Sequence, residues 1–204
     1  MIIAIEGIDG AGKNTLVQHL RGELDIPVGV LAFPRYEESI HAQLAQEALY
    51  GRMGDLTSSA YAMATLFALD RHGAKEQLLA AADSPELLIL DRYVASNAAY
   101  SAARLADDSV MDWVFDLEFG RLGLPKPQLQ IYLATDVEVA ADRASSRSAQ
   151  DASREKDEYE KDGNLQAATA AAYGRLAESN WAGQWIATAD KGIIIDNVRK
   201  LVGE

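Results

Sequence analysis

Along the 204-residue chain, short apolar runs alternate with longer stretches of helical spacing. Five runs stand out: Ile2 to Glu6, Val28 to Phe33, Leu87 to Asp91, Leu129 to Ala134 and Gln184 to Ala189. Each is apolar almost without interruption, the pattern of strands covered on both faces. Between them lie alanine-rich segments whose apolar positions recur every three or four residues, including Thr57 to Ala82, Ser109 to Leu122, Val137 to Arg147 and Glu155 to Glu178. Strand and helix in turn predict an α/β fold, a doubly wound parallel five-stranded sheet flanked by helices. No internal repeat or linker interrupts the pattern, so residues 1–204 read as a single domain around one sizeable core.

One segment departs from the pattern. Asp142 to Asp162 (DRASSRSAQDASREKDEYEKD) is polar, charged and poor in large apolar residues. It reads either as a solvated helix pair with a loose loop or as a mobile lid.

Composition narrows the function classes. With 31 acids against 19 lysines and arginines, the net charge is −12, so the average surface repels nucleic acid and anionic membrane. The chain has no cysteine, which removes disulfides and thiol chemistry and agrees with a reducing cytoplasm. No basic region precedes the first apolar run, and no apolar run reaches membrane-spanning length; the expectation is an untargeted cytoplasmic protein. A polyphosphate ligand would require the few cations to gather at one place.

The first candidate place is IAIEGIDGAGKNT, Ile3 to Thr15, which carries Lys13. Gly7, Gly12 and Lys13 match G-x-x-x-x-G-K between a predicted strand and a helix-like segment, with Gly10 and Ala11 inside the loop. Glycines permit backbone conformations that aim successive N–H groups at phosphate oxygens, and the helix start adds partial positive charge. Lys13 reaches the terminal phosphates, and the expected nucleotide is ATP. Asn14 stands where a magnesium-binding Ser or Thr is common. Thr15 is a substitute one step round the helix, and Asp9 places an acid inside a loop built for anions.

Other motifs fall at strand ends. Asp91 ends the third apolar run beside the loop, where a carboxylate can order magnesium directly or through water, and Arg92 adds a fixed cation. Taken alone, this pair also reads as a surface ion pair. FPRY, Phe33 to Tyr36, ends the second run, offering Arg35 to a second phosphate and Tyr36 as a hydrogen-bond donor to it. Phe67 and Arg71, four apart, share one helix face, suited either to stacking and reading a flat base or to a core residue beside a snorkelling cation.

In this order, GIDGAGKNT, FPRY, YAMATLFALDR and LDRYVASNAAYS resemble the bacterial thymidylate kinases, P-loop nucleoside monophosphate kinases that make dTDP from dTMP and ATP with Mg2+. The resemblance runs from Met1 to about Leu176, and the segment beyond carries no distinctive motif. It implies that Phe67 stacks on thymine, Arg71 contacts its O4, Asn97 bonds the base edge and Tyr100 crowds the sugar 2′ position. It also implies that Arg35, Tyr36 and Arg92 hold the dTMP phosphate and that Phe33 lines the same pocket. An arginine-bearing lid over ATP would be residues 142–162, with Arg143, Arg147 and Arg154. Because the loop itself lacks arginine, the catalytic cation is assigned to Arg147 first and Arg154 second. Asp9, with Glu160 from the lid, would serve magnesium near the acceptor phosphate. The family implies a homodimer. A kinase for another nucleotide, or a nucleotide-binding regulatory module without turnover, are the competing readings.

Overall fold

The computed structural model describes residues 1–150 and 157–203, with backbone alone at 147–150 and 160. Strand β1 (Ile2–Glu6) is buried along its whole length. With β2 (Val28–Ala32), β3 (Leu87–Asp91), β4 (Leu129–Tyr132) and β5 (Trp185–Ala187), it forms, among the described residues, a parallel sheet of order β2-β3-β1-β4-β5. The apolar runs predicted strands covered on both faces, and β1, β3 and β4 have that burial. The edge strands differ: Gly29, Val30 and Ala32 of β2 are exposed, and β5 has no buried residue. A strand at the rim has a neighbour on one side only, and the helices do not extend fully over it.

Strand order creates the crevice. From β1 the chain passes to β2 and β3 on one side of the sheet and later to β4 and β5 on the other. The connections therefore part at the carboxyl end of β1, where doubly wound sheets bind ligands. Register brings Ile5 beside Asp91 and Glu6 beside Tyr132, so the segments leaving β1, β3 and β4 emerge together.

Helices carry that crevice and break where capping and packing demand it. Helix α1 (Lys13–Glu23) follows the glycine loop, and α2 (Ile40–Leu49) starts at Ser39, whose hydroxyl accepts from the Ala42 N–H. The segment expected as one helix from Thr57 to Ala82 is three pieces: a 3-10 turn (Leu56–Ser58), α3 (Ala60–Gly73) and α4 (Lys75–Asp83). Ser59 caps α3. The break at Ala74 follows Gly73, a poor helix former whose missing side chain leaves room for the Arg35 guanidinium, 2.8 Å from where a Cβ would stand. Helix α5 (Val94–Leu105) buries one broad face, and α6 (Ser109–Phe115) runs into a π-helical turn, Asp116–Arg121. Then come α7 (Val137–Gln150), α8 (Glu158–Lys161) and α9 (Gly163–Glu178). Asp162 caps α9 through the Asn164 and Leu165 N–H groups, which separates it from α8. The tail forms α10 (Lys191–Val202), capped by Asp190.

The main core sandwiches the sheet. A smaller cluster of Ala45, Ala48, Leu49 and Met63 joins α2 to α3, with Phe67 and Tyr159 packed against it. No helix among the described residues is long and apolar enough to cross a membrane.

Candidate active site

The glycine loop is built for backbone approach. Gly7, Gly10 and Gly12 have φ of 148°, 85° and 98°, values that disfavour any side chain. A Cβ at Gly10 would sit 1.9 Å from the Ala140 carbonyl oxygen, so α7 packs directly on the loop. From the end of β4, Thr135 donates its hydroxyl to the Ala11 carbonyl at 2.9 Å and fixes the loop's far side. The Lys13 ammonium folds back onto the Gly7 and Ile8 carbonyls at 3.2 and 3.1 Å. Burial, together with the nearby Arg92 charge, pushes its pKa down to about 8, partly offset by Asp9, Asp91 and Glu6.

Opposite the loop, Arg92 sits at φ 68°, a left-handed conformation uncommon for a residue with a side chain. Its surroundings enforce this. The Arg92 N–H donates to the Ile5 carbonyl, and the next N–H, of Tyr93, donates to the buried Glu6 carboxylate at 2.8 Å. Glu6 also accepts from the Ser96 and Tyr173 hydroxyls at 2.6 and 3.1 Å; burial still raises its pKa. The Arg92 guanidinium thus projects to Asp9 Oδ1, at 2.6 Å.

Tyr100 donates to Asp9 Oδ2 at 3.0 Å, and Gln166 Nε2 donates to the same oxygen at 3.4 Å while its Oε1 accepts the Asp9 N–H. Burial alone would raise the Asp9 pKa. The Arg92 and Lys13 charges and the hydrogen bonds outweigh it and hold the carboxyl well below the usual carboxylate range. Asp91, at the end of β3, has its Oδ1 buried and without a hydrogen-bond partner among the described residues. A buried, unpaired carboxylate oxygen beside Lys13 is what a cation or its bound water would satisfy.

A cavity of about 470 Å³ runs from Asp9 and Arg92 to Phe67, Arg71 and Asn97. Its far end is polar where a core would be apolar. Arg71 and Asn97 are 3% and 5% exposed, and both bond to the fully buried Glu118. Burial works to lower the Arg71 pKa, and Glu118 more than reverses it. Phe67 is only partly buried and presents its ring to the cavity.

Comparison with known proteins fits this geometry. The sequence profile of the family described as Thymidylate kinase matches residues 5–193. The chain belongs to the thymidylate kinase family. It is 52% identical over 192 residues to a thymidylate kinase of Mycobacterium tuberculosis, covering 91% of this chain and 90% of that one. It is also 33% identical over 151 residues to a probable thymidylate kinase of Archaeoglobus fulgidus, covering 72% and 70%. A solved thymidylate kinase of Candida albicans superposes with a TM-score of 0.73 at 22% identity, covering 99% and 90%, which shows the shared fold.

Of the residues expected in a thymidylate kinase site, Asp9, Phe33, Tyr36, Phe67, Arg71, Arg92, Asn97 and Tyr100 line this one cavity. Arg35 is not among them. Its Nε and backbone N–H both donate to Asp70, at 3.0 and 2.9 Å, which turns the guanidinium toward α3. Asn14 and Thr15 are exposed on the first turn of α1. Arg143 lies at the loop, its Nη1 3.9 Å from where a Gly12 Cβ would stand. Arg154 and the side chains of Arg147 and Glu160 lie outside the described residues. Glu6, Asp70, Ser96, Glu118, Gln166 and Tyr173 were not singled out from sequence. Asp70, an acid directly after the apolar LFAL, and Glu6, an acid ending the apolar run from Ile2, left a local signal.

Proposed function

We propose that the protein phosphorylates dTMP to dTDP with ATP and Mg2+, as one kinase domain over residues 1–204. The observation carrying this reading is the single cavity that joins a flat apolar face and paired polar groups at one end (Phe67, Arg71, Asn97) to a cation and carboxylate beside the glycine loop at the other (Arg92, Asp9). A nucleoside monophosphate has this polarity, with its phosphate next to a bound triphosphate.

The acceptor phosphate is already an anion, so an oxygen of dTMP attacks the γ-phosphorus directly. The bond to the β–γ bridging oxygen breaks, ADP leaves, and no general base is needed. The chain's task is alignment and charge compensation. The loop N–H groups and Lys13 hold ATP. Arg92, fixed by Glu6 below and Asp9 in front, meets the acceptor phosphate. Tyr36 donates to that phosphate, and Tyr100 closes the sugar side. Lid arginines, Arg147 first, complete the compensation.

Magnesium would add neutralisation of the β and γ oxygens. Among the described residues, no group of three or more His, Cys, Asp or Glu side chains converges. With phosphate and water completing its shell, magnesium asks for only one or two carboxylates, and Asp91, whose Oδ1 has no hydrogen-bond partner among the described residues, together with Asp9, which like it acts on Lys13, would meet that need. The reading includes a cytoplasmic location and a homodimer. The exposed Tyr61 of α3, packed edge-on against Trp113 of α6, offers a contact surface, and light scattering tests the dimer.

An ATP-coupled assay across nucleoside monophosphates tests the function. We expect dTMP to be preferred over dCMP, dAMP and its own ribose analogue. Preference for another nucleotide would overturn the substrate, and no turnover of any would make the protein a nucleotide-binding module.

A further inference from the structure

Glu118 is a fully buried acid at the base end of the cavity, and the chemistry above leaves it without a role. It lies in the π-helical turn Asp116–Arg121, a local widening that often marks functional positions. Its Oε2 accepts from Arg71 Nε at 2.5 Å. Its Oε1 accepts twice, from Arg71 Nη2 and from Asn97 Nδ2, each at 2.7 Å. Asn97 Nδ2 makes a second donation, to the Ala64 carbonyl of α3, at 3.0 Å.

These bonds fix the direction of a group that could otherwise turn over. A carboxylate and a carbonyl only accept, so the Asn97 amide must face both with its NH2. Its oxygen, without a partner among the described residues, is left to the cavity that Asn97 lines. By the same count, Arg71 has committed its Nε–H and one N–H of Nη2, so its remaining N–H groups, both of them on Nη1 and one on Nη2, are left to donate. The protein thus offers a base an acceptor next to a donor. A pyrimidine with N3–H and a 4-oxo group completes both bonds. One with a bare N3 and a 4-amino group meets acceptor with acceptor and donor with donor.

We propose that Glu118 is a positioning residue that sets the hydrogen-bond polarity of Asn97 and Arg71, and through them makes the site choose thymine over cytosine. This rests on the base end being the thymine site. Neutralising Arg71 would account for an acid here but not for the shared Oε1, which ties the arginine and the amide to one oxygen.

The test uses dTMP and 5-methyl-dCMP, which share methyl, sugar and phosphate and differ only at N3 and position 4. Their kcat/KM ratio is measured on the wild type and on Glu118→Gln. The glutamine NH2 either replaces Oε2 and faces Arg71 Nε, or replaces Oε1 and faces both Arg71 Nη2 and Asn97 Nδ2, so in each orientation at least one reading group is misdirected. We expect the ratio to fall about 10- to 100-fold, the scale of leaving one buried polar group without its partner, with KM for ATP unchanged. An unaltered ratio in a folded Glu118→Gln protein overturns the proposal. Should that variant not fold, Glu118→Asp, too short to reach both partners, must lower the ratio as well, and an unaltered ratio there overturns the proposal equally. A wild type that does not prefer dTMP over 5-methyl-dCMP overturns the thymine site itself, which separates that failure from a failure of Glu118 alone.

Discussion

Asp9 is the residue whose replacement separates catalysis from architecture. In Asp9→Asn the shape is kept, but one acceptor oxygen must serve where the carboxylate now receives Arg92 Nη2, Tyr100 and Gln166 Nε2. The amide NH2 has to face at least one of these donors. The pair is largely buried, with Arg92 and Asp9 side chains 15% and 27% exposed, so the loss of a charged hydrogen bond should reduce stability by about 1.5–3 kcal/mol at neutral pH. The sign with pH follows from the depressed carboxyl. Its contribution is present above the unfolded-state value of about 3.9 and is lost as pH falls below it. The stability gap between wild type and variant should therefore close on acidification, which denaturant unfolding at a series of pH values measures. The glycine framework is untouched, so ATP binding should survive. Turnover should fall about 10²–10³-fold, the scale of one preorganised electrostatic element, and excess magnesium should recover part of it. Near-wild-type turnover at limiting magnesium would refute a catalytic Asp9 and leave it a cap for Arg92 and the loop.

Two further outcomes are expected at the loop. Lys13 has its pKa lowered to about 8 in the free protein, and bound polyphosphate must raise it; affinity is then full below pH 8 and falls with rising pH until the bound-state value is passed. Equilibrium titration should show ATP binding weakening by about tenfold between pH 7 and 9, and a flat profile would show Lys13 not to meet phosphate. Gly10→Ala forces a Cβ to 1.9 Å from the Ala140 carbonyl at φ 85°, so α7 or the loop must move. We expect a stability loss of at least about 2 kcal/mol in thermal or denaturant unfolding together with weakened ATP binding, and a variant that kept both would contradict the close packing of α7 on the loop.

What the sequence settled by itself is local. Unbroken apolar runs marked the strands, and G-x-x-x-x-G-K between strand and helix marked the phosphate loop, because both are set by neighbours within a few residues. The order of FPRY, Phe67 with Arg71, and DRYVASNAAY carried the family resemblance, and of the residues it implied on these motifs Phe33, Tyr36, Phe67, Arg71, Arg92, Asn97 and Tyr100 line the cavity while Arg35 does not. Helix breaks were less legible. Ser59 and Asp162 are capping residues, yet alanine-rich segments keep helical spacing straight through them. The Ala74 break follows a glycine that the distant Arg35 packs against. The partners that orient the site needed the fold. Glu118 meets Arg71 across 47 residues, Gln166 meets Asp9 across 157, and Tyr173 meets Glu6 across 167. No periodicity records which buried acid will face which cation. That pairing is decided when helices from separate crossovers close over the same sheet edge, and burial then leaves each polar group no water to bond and only one another to satisfy.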